Sequence, residues 1–348
     1  MVWEKLLDQY GELIDKRLNE FFAKLVEEKR TYHPFIGDLY SEVAKYVLRK
    51  GKRLASCSTL LTYKGYAGEV GDQILDICVG VELFRHSILI HDDLVDRDEL
   101  RRGDKAFHKL FSKAYDDRFS EGAAIFIGNA MYALGLQTIR GANFPQEKTS
   151  KVLQLFENDY RGVNESQVLD LLFEYKLPDV EEWRTMASRR AAVLFKTTIL
   201  TGAILGGAPE RDIHLLEEAA AHIGYAFDIQ DDIIDTFASE EQYGRPPGGD
   251  LRHGKKPLYV VQTMKLAGEK ELEALKEIVG KESLTREELE AAREVIRKSG
   301  GLGAAKDESR RHAKAAKELI ARTSLGDETK EFLSSFITYV EQSLDWYK

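Results

Sequence analysis

Apolar residues recur every three or four positions along most of the chain. Near the start, Trp3, Leu6, Leu7, Tyr10, Leu13, Ile14, Leu18, Phe21, Phe22 and Leu25 keep i, i+3, i+4 spacing, the signature of an amphipathic helix. The same period predicts helices over 35–49, 52–66, 72–96, 121–140, 146–175, 179–205 and 210–236. It continues over 257–267, 270–280, 285–298, 301–322 and 327–346. No segment alternates as a half-buried strand would. The run 123–128 reads as a strand in isolation, but its continuation to Arg140 keeps the helical period. The seven prolines, at 34, 145, 178, 209, 246, 247 and 257, all fall between these segments. Inside a helix each would remove a hydrogen bond and clash with the preceding turn. Residues 74–90 and 191–205 are apolar on more than one face, which predicts central helices. The charged segments from 268 to 322 read as an outer layer. The expectation is one all-α domain over residues 1–348.

Composition narrows the function classes. Fifty Lys and Arg stand against 59 Asp and Glu, a net charge of -9, so a nucleic-acid partner is not expected. Cys57 and Cys78 both lie in apolar helical pattern and read as small buried thiols. The first residues show no cationic and apolar leader, and no run of 18 apolar residues predicts a membrane span. The cytoplasm is the expected location.

The chemistry lies in two acidic clusters. His91-Asp92-Asp93-Leu94-Val95-Asp96 ends one apolar helix, and Asp231-Asp232-Ile233-Ile234-Asp235 ends another, 139 residues later. Positions i and i+4 stack on one helix face. Asp92 and Asp96 therefore point one way, as do Asp231 and Asp235, with Asp93 and Asp232 beside them to hold metal-bound water. Three carboxylates at a helix C-terminus repel each other and the helix dipole, so a cation is expected there. A solvated acidic helix end is the simpler alternative for one cluster, but two with identical spacing favour a ligand. Hard oxygen donors with room for water suit Mg²⁺ bridged to phosphate. Candidate phosphate partners are Lys52 and Arg53 after Gly51, Arg101 and Arg102 after the first cluster, Lys196 in an apolar helix, and Lys255. Lys255 follows the Gly/Pro-rich loop 243–250.

These segments together resemble the trans-isoprenyl diphosphate synthases, or polyprenyl synthetases. The likeness runs from Gly51-Lys52-Arg53-Leu54 to beyond Lys255. It is strongest at Leu89-Ile90-His91-Asp92-Asp93-Leu94-Val95-Asp96, Leu100-Arg101-Arg102-Gly103 and Gly224-Tyr225-Ala226-Phe227-Asp228-Ile229-Gln230-Asp231-Asp232-Ile233-Ile234-Asp235. Gln167, Asp170 and Lys196-Thr197 also match. The resemblance implies an all-helical bundle around a deep central cavity, usually a homodimer. It implies Mg²⁺, three ions with substrate bound, on Asp92, Asp93, Asp96, Asp231, Asp232 and Asp235. An allylic prenyl diphosphate would ionise there, helped by Arg101, Lys196 and Lys255, and its cation would be attacked by isopentenyl diphosphate. Lys52, Arg53, Arg102, Thr197, Phe227 and Asp228 are the implied substrate-binding positions.

The sequence departs from the family pattern around the second diphosphate. Ala55 stands where the family has arginine, Arg85 where it has histidine, and Asp228 where it has glutamine. The expectation is that Arg85 replaces the missing charge and that Asp228 orients it. Ser166, Arg245 and Pro257 are smaller departures. Ser87 and Ile88 lie one to one and a half turns before Asp92, with Phe84 about one turn deeper. A small Ser87 lets a chain pass, and Phe84 with Leu83 is expected to make the floor, core packing of Phe84 being the alternative, so a C20 or longer product is expected over C15. A class I terpene cyclase and a noncatalytic subunit of a heteromeric synthase remain the alternatives. The paired Asp-rich motifs and the second basic set argue against the first, and retention of both motifs against the second.

Overall fold

The computed structural model describes residues 1–49, 51–243, 246–281 and 283–347. Arg245, a departure noted above, lies outside them. The described residues form sixteen α-helices and one two-stranded hairpin. They fall into two compact units: Met1–Phe156 with Thr198–Pro209 and Ser324–Phe332, and Glu157–Thr197 with Glu210–Thr323 and Leu333–Lys348.

The first unit holds α1 (Val2–Tyr32), α2 (Pro34–Val47), α3 (Leu54–Ala67), α4 (Asp72–Val95) and α5 (Asp117–Gly141). It also takes in the first part of α6 (Gln146–Tyr175). As its all-round apolar pattern predicts, α4 is central. Every residue from Ile77 to Phe84 is buried. Its closest neighbour, α5, crosses at a pair of glycines. A Cβ on Gly80 would stand 2.6 Å from Ile139 Cγ1 and 3.1 Å from the Gly135 carbonyl oxygen. Only hydrogen fits there, so the two helices pack backbone to backbone. On α5 the opposite face is open, with Phe126 74% exposed. This helix is, among the described residues, long and apolar enough by composition to cross a membrane.

Between α4 and α5 lies the hairpin that sequence periodicity does not reveal, because each strand has only two residues. Its strands, β1 (Leu100–Arg101) and β2 (Asp104–Lys105), pair Leu100 with Lys105 and Arg101 with Asp104. The two turn residues, Arg102 and Gly103, both take positive φ, 55° and 79°, as tight hairpins of right-handed twist require. Arg49 braces it, donating from Nη1 to the Lys105 carbonyl at 2.7 Å.

In the second unit the predicted helix over 179–205 is broken. It divides into α7 (Val180–Ala187) and α8 (Ala191–Gly206), with a turn at residues 188–190. A second closely packed pair follows: α9 (Glu210–Phe237) against α15 (Gly301–Ala321). The segment 301–322, expected in an outer layer, instead buries Ala305, Ser309, Ala313 and Ala316. These small residues let α15 lie against α9, and Ser309 Oγ donates to the Ala226 carbonyl at 3.0 Å. The remaining helices are α10 (Glu240–Tyr243), α11 (Gly249–His253), α12 (Leu258–Leu266), α13 (Glu269–Ile278), α14 (Arg286–Lys298) and α16 (Asp327–Ser343). Of these, α13 and α14 keep the charged, half-exposed character the sequence predicts.

Candidate active site

The first acidic cluster caps α4. Asp96 follows the last helical residue, and its N–H donates to the Asp92 carbonyl at 2.8 Å. The side chains of Asp92 and Asp96, one turn apart, are both partly exposed. Asp93 is buried and engaged. Its Oδ2 accepts from the Tyr46 hydroxyl at 2.8 Å, and its Oδ1 accepts from Arg101 Nε at 2.6 Å. Burial pushes the Asp93 carboxyl up against the pull of Arg101. Burial opposes the Arg101 charge too, yet Asp93 beside it holds the guanidinium above its ordinary range. Asp93 therefore fixes Arg101; it is not the open neighbour of a metal-bound water that the helical spacing predicts. From this anchor Arg101 Nη2 also lies 3.7 Å from Asp92 and 3.5 Å from Asp98.

A second set of cations gathers in the same unit. The Arg102 guanidinium lies over Gly51, where a Cβ would meet its Cζ at 2.8 Å. Burial and then the neighbouring Arg85 lower Arg102 to about 10. Glu82 opposes that shift. Arg53 belongs to the framework instead. It is 5% exposed and has φ of 50°. It donates to Asp15 at 2.6 Å, to the Val47 carbonyl at 2.8 Å and to Glu82 at 3.2 Å. Glu82 in turn accepts from Ser56 at 2.5 Å. Next to it, His86 is held neutral, lowered by burial to about 3 against the opposing pull of Glu82. Lys52 is exposed. It pairs with Glu4 at 2.8 Å and lies over the Trp3 ring at 4.6 Å.

Further back on α4, Ser87 is fully buried and donates to the Phe84 carbonyl at 2.7 Å. The Phe84 ring meets Phe156 of α6 edge to face at 4.8 Å, and Tyr132 of α5 at 6.2 Å. The expected floor residue is thus one of three rings from three helices. Phe156 and Tyr132 are identified only by the tertiary structure.

The second acidic cluster lies on α9. Asp231 is exposed, while Asp232 and Asp235 are buried. Asp235 organises the chain that follows, accepting from the Tyr243 hydroxyl and from the Asp250 N–H, each at 3.1 Å. Asp232 faces Arg190. Arg190 Nε donates to Asp228 Oδ1 at 2.9 Å and its Nη2 to Asp228 Oδ2 at 2.8 Å. The same Nη2 reaches Asp232 at 3.2 Å, and Nη1 reaches Asp170 at 3.5 Å. Lys255 Nζ lies 3.6 Å from Asp170 and 4.0 Å from Asp250. Burial first, then neighbouring carboxylates, push Asp250 well above its usual range. Asp232 rises likewise, although Arg190 opposes the shift.

The placement of Arg190 has a local cause. A Cβ on Gly224 would stand 2.2 Å from Ala192 Cα, so only glycine lets the start of α8 lie directly on α9. Arg190 precedes that contact by two residues, and Asp228 follows Gly224 by one helical turn. The sequence reading missed Arg190 because no glycine or proline marks the turn at 188–190. One signal was present. Two adjacent arginines at the N-terminus of an otherwise apolar helix oppose the helix dipole, a local conflict that marks functional sites.

The lysine expected in this role lies elsewhere. Lys196 Nζ pairs with Glu217 at 2.8 Å. Glu217 precedes Asp231 by fourteen residues, roughly 20 Å along α9 at 1.5 Å per residue. Thr197 is buried and donates to Asp159 at 2.7 Å, whose carboxyl burial raises to about 6. Phe227 packs among Phe195 at 5.5 Å and Phe336 at 6.1 Å. Asp228 gives both oxygens to Arg190, not to Arg85 as expected.

No three His, Cys, Asp or Glu side chains among the described residues already converge to hold an ion unaided. The donor chemistry nevertheless fits a hard cation. In the second unit Asp170, Asp228, Asp231, Asp232, Asp235 and Asp250 gather with Arg190 and Lys255, and Arg252 lies near Asp235. Carboxylates pushed upward by one another are relieved by added positive charge. Mg²⁺ needs only one or two of them, because it keeps waters and takes phosphate oxygens.

A largely helical protein that carries two such carboxylate clusters, each with an arginine beside it, has groups that suit a hard cation and a phosphate. Known proteins identify the kind. The polyprenyl synthetase family model matches residues 37–296. The chain is 30% identical over 287 residues to a short chain isoprenyl diphosphate synthase of Methanocaldococcus jannaschii, covering 82% of this chain and 84% of that one. It is 31% identical over 299 residues to a geranylgeranyl diphosphate synthase of Sulfolobus acidocaldarius, covering 85% and 84%. The crystal structure of a geranylgeranyl pyrophosphate synthetase from Pyrococcus horikoshii superposes with a TM-score of 0.84 at 27% identity, covering 98% of each chain. The chain belongs to the polyprenyl synthetase family and is a prenyltransferase.

The contrast between the two cations is testable. Arg190→Ala should lower kcat/KM for prenyl transfer by about a hundredfold, the scale of losing one preorganised donor to developing charge. Lys196→Ala, removing a partly exposed pair, should leave it within about threefold. Steady-state kinetics on both variants checks this; equal losses would restore Lys196 to the site.

Proposed function

We propose that this enzyme condenses isopentenyl diphosphate head to tail with an allylic prenyl diphosphate, giving an all-trans product of C20 or longer plus diphosphate. The observation that supports this reading is the group of buried carboxylates around Asp232 in the second unit and, in the first, the neighbouring arginines Arg85 and Arg102. One set calls for a metal-bound diphosphate and the other for a diphosphate bound directly.

Asp92 and Asp96 from the first cluster and Asp231 from the second are the carboxylates most open to Mg²⁺, and three ions are proposed with substrate bound. Asp232 and Asp235 would contribute from more enclosed positions. When bound, Mg²⁺ supplies positive charge to the departing diphosphate. Arg101 is held by Asp93 in the first unit and Arg190 by Asp228 in the second, and each guanidinium would meet diphosphate charge at its own cluster. Lys255 adds a point charge beside Asp170. Arg85 and Arg102 bind the diphosphate of isopentenyl diphosphate, with Lys52 at the exposed margin. The 1'–4 bond forms between the allylic cation and the double bond of isopentenyl diphosphate. A proton is then lost to the departing diphosphate. The Asp228 charge expected to orient Arg85 is committed elsewhere, so Arg85 acts through its proximity to Arg102. The two compact units would work together as one catalytic domain over residues 1–348.

Small, buried Ser87 leaves the chain path open for about one turn, and the rings of Phe84, Phe156 and Tyr132 would close it. The likeness to geranylgeranyl diphosphate synthases supports the same length. For assembly, we propose a homodimer through the open face of α5. An apolar groove of about 1020 Å³ there is lined by Phe35, Tyr115, Phe119, Phe126 and Ile127, and shares no residue with the acidic clusters.

Incubation with Mg²⁺, isopentenyl diphosphate and each allylic diphosphate from C5 to C20 should give C20 or longer products. EDTA should abolish them. A hydrocarbon formed without consumption of isopentenyl diphosphate would establish a cyclase instead. In the same assay Ser87→Phe should shorten the product and Phe84→Ala lengthen it; unchanged sizes in both would remove this ruler. Arg85→Ala should raise the KM for isopentenyl diphosphate about tenfold, the loss of one charged contact, and an unchanged KM refutes the compensation. Light scattering should report twice the chain mass, and Phe126→Glu should shift it toward the monomer; a wild-type monomer would exclude the dimer.

A further inference from the structure

Asp228 is a departure from the family pattern, and the structure shows what it does. Its two oxygens accept a parallel pair of bonds from Arg190, Nε at 2.9 Å and Nη2 at 2.8 Å. This fork-to-fork geometry is open to an arginine and closed to a lysine. Both groups are largely buried, so the pair is weakly screened and its angle is fixed. The Nε/Nη2 edge is thereby occupied, with Nη2 also shared by Asp232 at 3.2 Å. Among the described residues the Nη1 edge carries the long contact to Asp170 at 3.5 Å. That edge is the part of the guanidinium left to bond an incoming phosphate oxygen.

We propose that Asp228 is a positioning residue: it clamps one edge of Arg190 so that the other edge presents its N–H groups to the diphosphate of the allylic substrate. The proposal rests on the prenyl synthase reading and adds to it a matched pair, Arg190 with Asp228, that works as a unit. Arg190 supplies the charge and Asp228 supplies its direction. Asp228 itself touches neither substrate nor metal.

Charge alone and positioning predict opposite results for one substitution. Asp228→Asn keeps the size and removes a negative charge beside an anion site. By charge alone it tightens binding of an anion. By positioning it loosens binding, because an amide offers one acceptor where the fork needs two. The probe is inorganic diphosphate in saturating Mg²⁺, followed by titration calorimetry, which needs no turnover.

Wild type should bind diphosphate, and Asp228→Asn should bind it about tenfold more weakly, the loss of a charged hydrogen bond. Arg190→Lys should weaken it by a similar factor. The double variant should be no weaker than the weaker single, since both changes break one pair. Asp228→Gln provides the same test with the residue the family pattern leads one to expect, should the asparagine variant fold poorly. In kinetics the loss should appear in the KM for the allylic substrate, with the KM for isopentenyl diphosphate unmoved. Binding that is unchanged or tighter in the Asp228 variants, or losses that multiply in the double variant, would overturn the proposal. Wild type that binds no diphosphate would instead overturn the prenyl synthase reading beneath it.

Discussion

Everything distinctive about this chain follows from carboxylates packed closer together than their own repulsion allows. In the second unit Asp170, Asp228 and Asp232 share Arg190, with Lys255 beside Asp170, and in the first Asp92, Asp93 and Asp98 share Arg101. Buried like charges are costly. Pairing and hydrogen bonding offset part of that cost, as Arg101 does for Asp93 and Arg190 for Asp228. The helices, glycines and the hairpin described above can be understood as the means of holding these groups in place.

The supporting structure is correspondingly rigid. Arg101 is held by Asp93, which Tyr46 fixes in turn, on a hairpin braced by Arg49. Arg190 is held by Asp228, at a helix start that Gly224 allows to rest directly on α9. In each case an aspartate expected in another role, Asp93 beside metal-bound water and Asp228 beside Arg85, fixes an arginine instead. Preorganisation of this kind matters because donors already aimed at developing charge lose little by reorganising during reaction.

Helix positions were legible because the apolar period and the prolines report local constraints. The segment 146–175 agrees at both ends with α6. The acidic clusters were legible because i, i+4 spacing fixes side-chain direction whatever the tertiary structure. The parts that failed depend on contacts distant in sequence. The turn before Arg190 carries no breaker residue. The hairpin is too short for alternation to appear. Nothing local distinguishes Lys196, paired with Glu217, from a lysine facing a substrate. Phe156 joins Phe84 across 72 residues, a distance no local pattern spans.

The glycine crossing of α4 and α5 has a mechanical side. Gly80 and Asp92 lie on one unbroken helix, twelve residues or roughly 18 Å apart. That helix is a stiff lever with its fulcrum where the two backbones touch. A side chain at Gly80 would pry the helices apart at one end and swing the carboxylates at the other. A remote substitution in the core would then move the acidic cluster without altering a single charged group.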